Sequence, residues 1–467
     1  MNPTPPAPPS ASSAAPAALP RLFRAGTLSY TRPALASLFF WLFWGDFAFT
    51  FFEQIFRRFI PLYLNEIHAS NALIGILTGS VAGVMNILFA PYVSRWSDRL
   101  RTPLGRRIPL LYLATPLTVL SLVGIGFVPE LAGWIERHFL VRLAPGIAAG
   151  GVGIALLCSL SVSFHFFNMG LVNGYNWLLR DVVPLEVMAR FLSWFRVVST
   201  LGSCFFLWWV FPHILTARHA VFLGVGVCYL VSFLLMCRNV REGDYPPPDD
   251  ADSPGLVKSF TLYFRDCLRV PLYRYFFMAW VCAELATSCS SPFSVLFAKA
   301  NLHLDMAAIG KIFAVSQIVS AVVCFPAGWL GDRFHPMRLA FAGLAGWGIA
   351  ALAAFAFVGG EAGFLAYNVL GSFPAACWAL GSMAASMALF PVERFGRFAS
   401  ALNVFSCAAL IFGNYGIGKL MDFVHSDYRL AFLWSGIFYG LAIVPMALAY
   451  REWKRHGGPD AYVAPSP

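Results

Sequence analysis

Twelve stretches of about twenty or more mostly apolar residues run through this chain, and that pattern restricts its possible folds more than any other feature. They lie near 35–62, 72–94, 108–128, 147–178, 191–212, 220–238, 273–298, 308–330, 339–358, 363–390, 398–420 and 431–450. About 20 apolar residues in a helix cross a bilayer, whereas a barrel strand needs only about 9–11 alternating ones. Only helices and closed barrels satisfy their own backbone groups in lipid. The expected fold class is therefore an all-α membrane protein with twelve transmembrane helices. Composition agrees: charged residues are 12% of the 467, about half the roughly 25% of a soluble domain.

The charges that remain set the orientation. Of 33 Lys and Arg, 23 fall on the side of the termini and 7 on the opposite side. Cytoplasmic loops concentrate basic residues, so both termini are expected in the cytoplasm of a cell's inner or plasma membrane. This also accounts for the net charge of +10 without a nucleic-acid partner. Residues 1–33 open with a Pro/Ala/Ser-rich run that reads as a disordered tail. It lacks the basic and apolar regions of a secretory signal. Residues 34–238 are expected to form one six-helix bundle and 273–450 a second. Residues 239–272 form a linker and 451–467 a second tail. In the linker, Leu256, Phe260, Tyr263, Phe264 and Cys267 share one side of an amphipathic helix.

Several chemistries find no support. The ten cysteines fall in spans or on the cytoplasmic side, and no Cys/His cluster has zinc spacing, so neither disulfides nor a metal are expected. No phosphate-binding Gly-x-x-x-x-Gly-Lys motif occurs, and no recognisable spacing sets a nucleophile beside His and a carboxylate. The chain is expected to be no enzyme and to hold no cofactor.

The two halves repeat each other in order. Ile74-Gly75 matches Ile309-Gly310, Pro91 matches Pro326, Asp98-Arg99 matches Asp332-Arg333, and Asp46 matches Glu284. Pro184-x-Glu186-x-x-x-Arg190 recurs as Pro391-x-Glu393-x-x-x-Arg397. Two facing pseudo-symmetric six-helix bundles are the architecture of alternating-access transporters, with the site between the halves.

The loop after the second span, with Asp98, Arg99, Gly105, Arg106 and Arg107, resembles the helix 2–3 motif of the major facilitator superfamily. The run from Asp98 to Pro109 is most similar to the glycoside–pentoside–hexuronide:cation and sucrose–proton symporters, as is Gly45-Asp46 in the first span. Asn86, Ala90 and Asn176 stand where melibiose-type members carry carboxylates, so the resemblance does not imply sodium coupling. It implies the major facilitator fold, in which helices 1, 4, 7 and 10 line a central cavity.

Polar stripes occur on those four spans. Asp46, Thr50, Glu53 and Arg57 follow at i, i+4, i+7 and i+11; Glu284, Thr287, Ser288 and Ser291 at i, i+3, i+4 and i+7. His165, Asn168, Asn176 and Arg180 lie near one line, and Asn368 and Ser372 one turn apart with Trp378 deeper. A charge at a helix centre costs about 2.5–3.5 kcal/mol on insertion scales, so Asp46 and Glu284 are expected to face water or a proton. The candidate substrate residues are Asp46, Thr50, His165, Asn168, Asn176, Glu284, Ser288, Asn368 and Trp378. Those for proton coupling are Asp46, Glu284 and Glu53. Asp98, Arg99, Gly105, Arg106, Arg107, Glu186, Arg190, Asp332, Arg333, Glu393 and Arg397 are expected to form a cytoplasmic gate of charges. The expected function is proton-coupled symport of a small polar solute such as a sugar or glycoside, by a monomer in the bilayer. A nucleoside carrier, an exporter of amphipathic compounds and a non-transporting sensor stay open as alternatives.

Overall fold

A computed structural model describes residues 22–140, 149–244, 265, 267–391 and 394–465. Twelve of its helices are long and apolar enough to cross a membrane. In chain order α1 to α12 are Arg32–Glu66, Asn71–Leu88, Ile108–Gly126, Gly151–Val182, Arg190–His213, Arg218–Asn239, Pro271–Asn301, Met306–Phe334, Pro336–Phe357, Glu361–Leu389, Phe395–Phe423 and Leu430–Arg455. They form two six-helix bundles, as the twelve apolar stretches predict.

Each bundle is held by aromatic packing. In the first, the rings of Phe56 and Phe164 stack with centroids 4.0 Å apart, and Phe52 stacks on Tyr229 at 4.5 Å. In the second, the Tyr273 ring packs edge to face against both Phe390 and Phe398. Offset and edge contacts of this kind contribute about 0.5–1.5 kcal/mol each beyond burial.

The bundles meet along a seam at the end opposite the termini. There α2 packs on α11, α5 on α8 and α1 on α7. Gly418 of α11 lies so close to the backbone of Asn71 and Ala72 that a Cβ would collide with main-chain atoms. The cross-seam hydrogen bonds of Asn71, Ala72, Ser80, Cys204 and Tyr428 all lie toward this end.

Three local features depart from the sequence reading. Within the expected 1–33 tail, strands β1 (Phe23–Ala25) and β2 (Leu28–Tyr30) form an antiparallel hairpin, and Thr27 Oγ1 accepts the N–H of Asp244 at 2.9 Å. The second span does not run unbroken to 94: it stops at Leu88, and a separate helix covers Ala90–Arg99 with Pro91 in its first turn. The seventh span is also interrupted, unwinding into a turn at Ser288–Ser290 between helical segments Pro271–Thr287 and Ser291–Leu296. Pro292 has no N–H to give the carbonyl one turn back, and its ring crowds that turn. Of the residues expected on the apolar side of the linker helix, Leu256, Phe260, Tyr263 and Phe264 lie outside the described residues, whereas residues 265 and 267–269 are helical and Cys267 is buried.

Candidate functional site: two polar cavities at the seam

Asp46 is the buried acid around which the first cavity is built. It lies near the middle of α1, and only 4% of it is exposed. Ser199 of α5 donates to Asp46 Oδ2 at 2.5 Å, and the Thr50 hydroxyl donates to the Asp46 carbonyl one turn back. Gln54, the next turn of α1, reaches Ser203 of α5 at 3.4 Å. Glu53 and Arg57 pair at 2.6 Å on the same helix. These groups, with Tyr175 and Asn176 of α4, Arg196 of α5 and Gln317 of α8, line a cavity of about 310 Å³. Tyr175 is fixed by its own hydroxyl, which donates to the Leu42 carbonyl at 2.8 Å.

A second cavity of about 230 Å³ opens on the other side of Gln317. It is lined from α7, α8, α10 and α12 by hydroxyls and amides, including Thr287, Ser290, Ser294, Asn368 and Tyr439, and from α1 by Arg58. The Thr287 and Tyr439 hydroxyls bond at 2.5 Å, and Ser316 donates to the Asn368 carbonyl at 3.1 Å. The break in α7 turns Thr287, Ser290, Ser291 and Ser294 into this space.

The structure therefore brings Asp46, Thr50, Glu53 and Asn176 together, and sets Asn368 in the neighbouring cavity. It does not bring the other candidates there. The Glu284 carboxylate takes a bond from Ser288 at 2.7 Å, and neither residue lines the two cavities, whereas Thr287 and Ser291 of the same stripe line the second. His165 is buried in the first bundle, its Nε2 2.7 Å from the Leu77 carbonyl and its ring edge-on to Phe56. Trp378 packs against Gly343 with its ring 5.8 Å from Trp280, whose Nε1 is held by Ser406. Asn168 turns its side-chain oxygen into the protein, where it has no partner among the described residues. Trp177 carries the Arg107 guanidinium over its ring, 4.8 Å from the ring centre.

At the terminal end, the loop charges form a network within the first half. Arg107 bonds Asp98 at 2.5 Å and approaches Asp181 at 3.6 Å, while Arg106 bonds Asp181 at 2.8 Å. Glu242, just after α6, accepts the backbone N–H groups of Arg106, Arg107 and Ile108 at 2.6–2.9 Å and so caps α3. Burial pushes the Glu242 carboxyl up, against the pull of these three N–H groups toward the ionised form. Gly105 makes the approach possible: its φ is +105°, and a Cβ there would strike the Glu242 carboxylate. Arg99, Glu186 and Arg397 also make contacts, Arg190 is exposed at the start of α5, and Arg333 lies over the Trp329 ring, next to Asp332. Glu393 lies outside the described residues. The sequence reading missed Ser199, Gln54, Arg58, Gln317, Asp181 and Glu242. Polar residues inside apolar spans were the available signal for the first four.

Residues 276–462 match the model of the Major Facilitator Superfamily. A class D tetracycline resistance protein of Salmonella ordonez is 27% identical over 330 residues, which is 66% of this chain and 69% of the relative. Among solved structures, the chain overlays a bacterial homologue of the human lysosomal transporter Spinster, inward-facing and unoccupied, with TM-score 0.65. That match has 15% identity over 91% of this chain and 97% of the other. A bacterial homologue of the iron transporter ferroportin overlays with TM-score 0.64 at 16% identity, over 89% and 98% of the two chains, in its inward-facing state. Against a bacterial homologue of ferroportin in an outward-facing state with soaked iron the score is 0.56. The architecture is the two-bundle major facilitator fold.

Proposed function

We propose that this chain, whose fold is that of the major facilitators, is a secondary transporter working by alternating access, and that it carries a small polar solute together with a proton. The observation that carries the reading is Asp46: a carboxyl in mid-membrane, bonded to Ser199, on the wall of a polar cavity at the seam of two bundles. An ionisable group at that depth is a functional-site hypothesis by default. Its loading with a proton removes a charge beside Arg196 and Gln317, and a solute that prefers one state then shifts the equilibrium between the two openings. The packed seam at the end opposite the termini fits a state open toward the termini, and the basic loops at that end favour a cytoplasmic location for it. The better overlay on an inward-facing than on an outward-facing neighbour supports the same state.

Hydroxyl, amide and carboxyl linings suit a sugar-like or other polar solute. A second reading, export of an amphipathic compound, is favoured by the tetracycline resistance relative. Among the described residues no cluster of His, Cys, Asp or Glu is placed to hold a metal ion. One structural neighbour is a bacterial metal transporter, but a metal cargo draws no support from these side chains.

The test is flux in proteoliposomes with an imposed pH gradient, using a panel of sugars and nucleosides. The wild type should accumulate its solute in a protonophore-sensitive way. Asp46→Asn should abolish accumulation while keeping solute exchange. Wild-type accumulation by that variant rejects the coupling role, and the direction of flux separates import from export.

A further inference from the structure

Arg57 and Arg58 are neighbours on α1 that face different cavities. Arg57 is neutralised by Glu53 and lines the Asp46 cavity. Arg58 lines the second cavity, with its guanidinium carbon 3.8 Å from the centre of the Phe313 ring. Its Nε is shut off from solvent and has no acceptor. Among the described residues no carboxylate forms an ion pair with Arg58. A guanidinium held inside a membrane protein without a counter-ion is costly, and such groups normally find a partner.

The groups around it are suited to the same missing partner. The Ser291 and Ser294 hydroxyls make no bond to the described residues, and Gln317 on the shared wall likewise keeps its amide free. All can donate. The α7 backbone is unwound beside them at Ser288–Ser290. Non-helical backbone at membrane depth is tolerated where it lines a cavity, and broken helices mark substrate sites in transporters. A planar guanidinium fork with flanking donors matches two oxygens of one anionic group.

We propose that the second cavity is an oxyanion subsite, in which Arg58, flanked by the hydroxyls of the α7 break, binds the carboxylate or phosphate group of a small organic anion whose body reaches past Gln317 toward Asp46. The assignment as a substrate group rests on the transporter reading. The rival explanation is structural: Arg58 serves only to tie α1 to α8 by its contact with Phe313, an interaction of a known kind.

The test uses the purified full-length protein in detergent, with no gradient or flux. Its unfolding temperature is compared in sodium chloride, acetate, benzoate and phosphate at equal ionic strength. At least one oxyanion should raise it by a few degrees above chloride, since a ligand that binds only the native state stabilises it. That gain should vanish in Arg58→Gln, and in chloride the variant should be at least as stable as the wild type. Benzoate against phosphate then distinguishes the two oxyanion classes. Non-specific salt effects are equal in both proteins and cancel in the comparison. An equal gain in Arg58→Gln, or no gain in the wild type with any oxyanion, overturns the proposal. A measurement on the wild type alone covers the case where the variant does not fold. Phenylglyoxal modification, mapped by peptide mass spectrometry, should be slowed at Arg58 by the stabilising oxyanion and unchanged at Arg57; no protection at Arg58 overturns the proposal. Because neither readout involves transport, failure here leaves the Asp46 flux test standing, and failure of that test leaves this one interpretable.

Discussion

Asp422 of α11 caps the first turn of α2 across the seam, its carboxylate accepting the N–H of Asn71 at 2.6 Å and of Ala72 at 3.1 Å. A negative side chain at a helix N-terminus satisfies unpaired donors and complements the helix dipole. Here the donors belong to one bundle and the acceptor to the other. The interaction therefore exists only while this end is closed. Tyr428 reinforces it, its single hydroxyl proton shared between Asn65 Oδ1 at 2.8 Å and Asn71 Oδ1 at 3.0 Å.

Asp422→Asn is expected to lose about 1–2 kcal/mol of the closed state, the usual scale of a cap. That corresponds to a shift of roughly 5- to 30-fold toward opening at this end. A cysteine placed at Ser203, on the wall of the Asp46 cavity, reports the shift in a background without native cysteines. Labelling by an impermeant maleimide from the closed side should speed up at least several-fold in the Asn variant. An unchanged rate would mean that the cap does not hold the seam.

Gly418→Ala should act in the same direction and more strongly. Its new Cβ meets the backbone of Asn71 and the Cα of Ala72, which cannot rotate away as a side-chain tip would. Gly440→Ala is the matched control, since nothing lies within 4 Å of a Cβ there. The same maleimide assay should register opening for the first substitution and none for the second. Equal behaviour of the two would show that the bundles yield at this contact.

Arg107 is 7% exposed and shared between Asp98 and Asp181, whereas Asp98 is 32% exposed. Removing one partner of a buried ion pair commonly costs about 3–5 kcal/mol, because it strands the other. Arg107→Ala should therefore lower the unfolding temperature sharply, or prevent recovery of folded protein. Asp98→Asn should do much less, because Asp181 still serves both arginines. The order of the two effects is what thermal unfolding in detergent checks; a larger loss for Asp98→Asn contradicts the network.

How far the sequence could be read depended on whether a helix stayed regular. Periodic apolar runs are a strong signal at membrane length, so the twelve spans were legible. Along α1 the spacing of Asp46, Thr50 and Glu53 placed all three on one wall, because that stretch has no break. Along α7 the same arithmetic put Glu284, Thr287, Ser288 and Ser291 on one face; Thr287 and Ser291 line the cavity, Glu284 and Ser288 do not, and the turn at Ser288–Ser290 brings Ser290 and Ser294 to it as well. Arg58 was legible only as a charge near the end of a span, since nothing local tells that its neighbour takes the available glutamate. Glu242 and Asp181 were illegible for another reason. Their partners, Arg107 and Arg106, lie 135 and 75 residues away in the chain, and single-sequence spacing does not reach that far.

Glu242 gives the network a pH dependence whose sign follows from its surroundings. Burial raises its carboxyl above the ordinary Glu range, and the N–H groups of Arg106, Ile108 and Arg107 oppose but do not cancel this. In the window between the unfolded and the raised folded value, the native state binds more protons than the unfolded one. Its contribution to stability is then present at low pH and is lost as pH rises through that window. Glu242→Gln removes the titration while keeping an acceptor oxygen for the α3 cap. The unfolding temperature of the wild type minus that of the variant should therefore fall as pH rises from the ordinary Glu range toward neutrality. A difference that rises instead would mean that the three backbone bonds outweigh burial, and that the ionised cap is what fastens α3 to the end of α6.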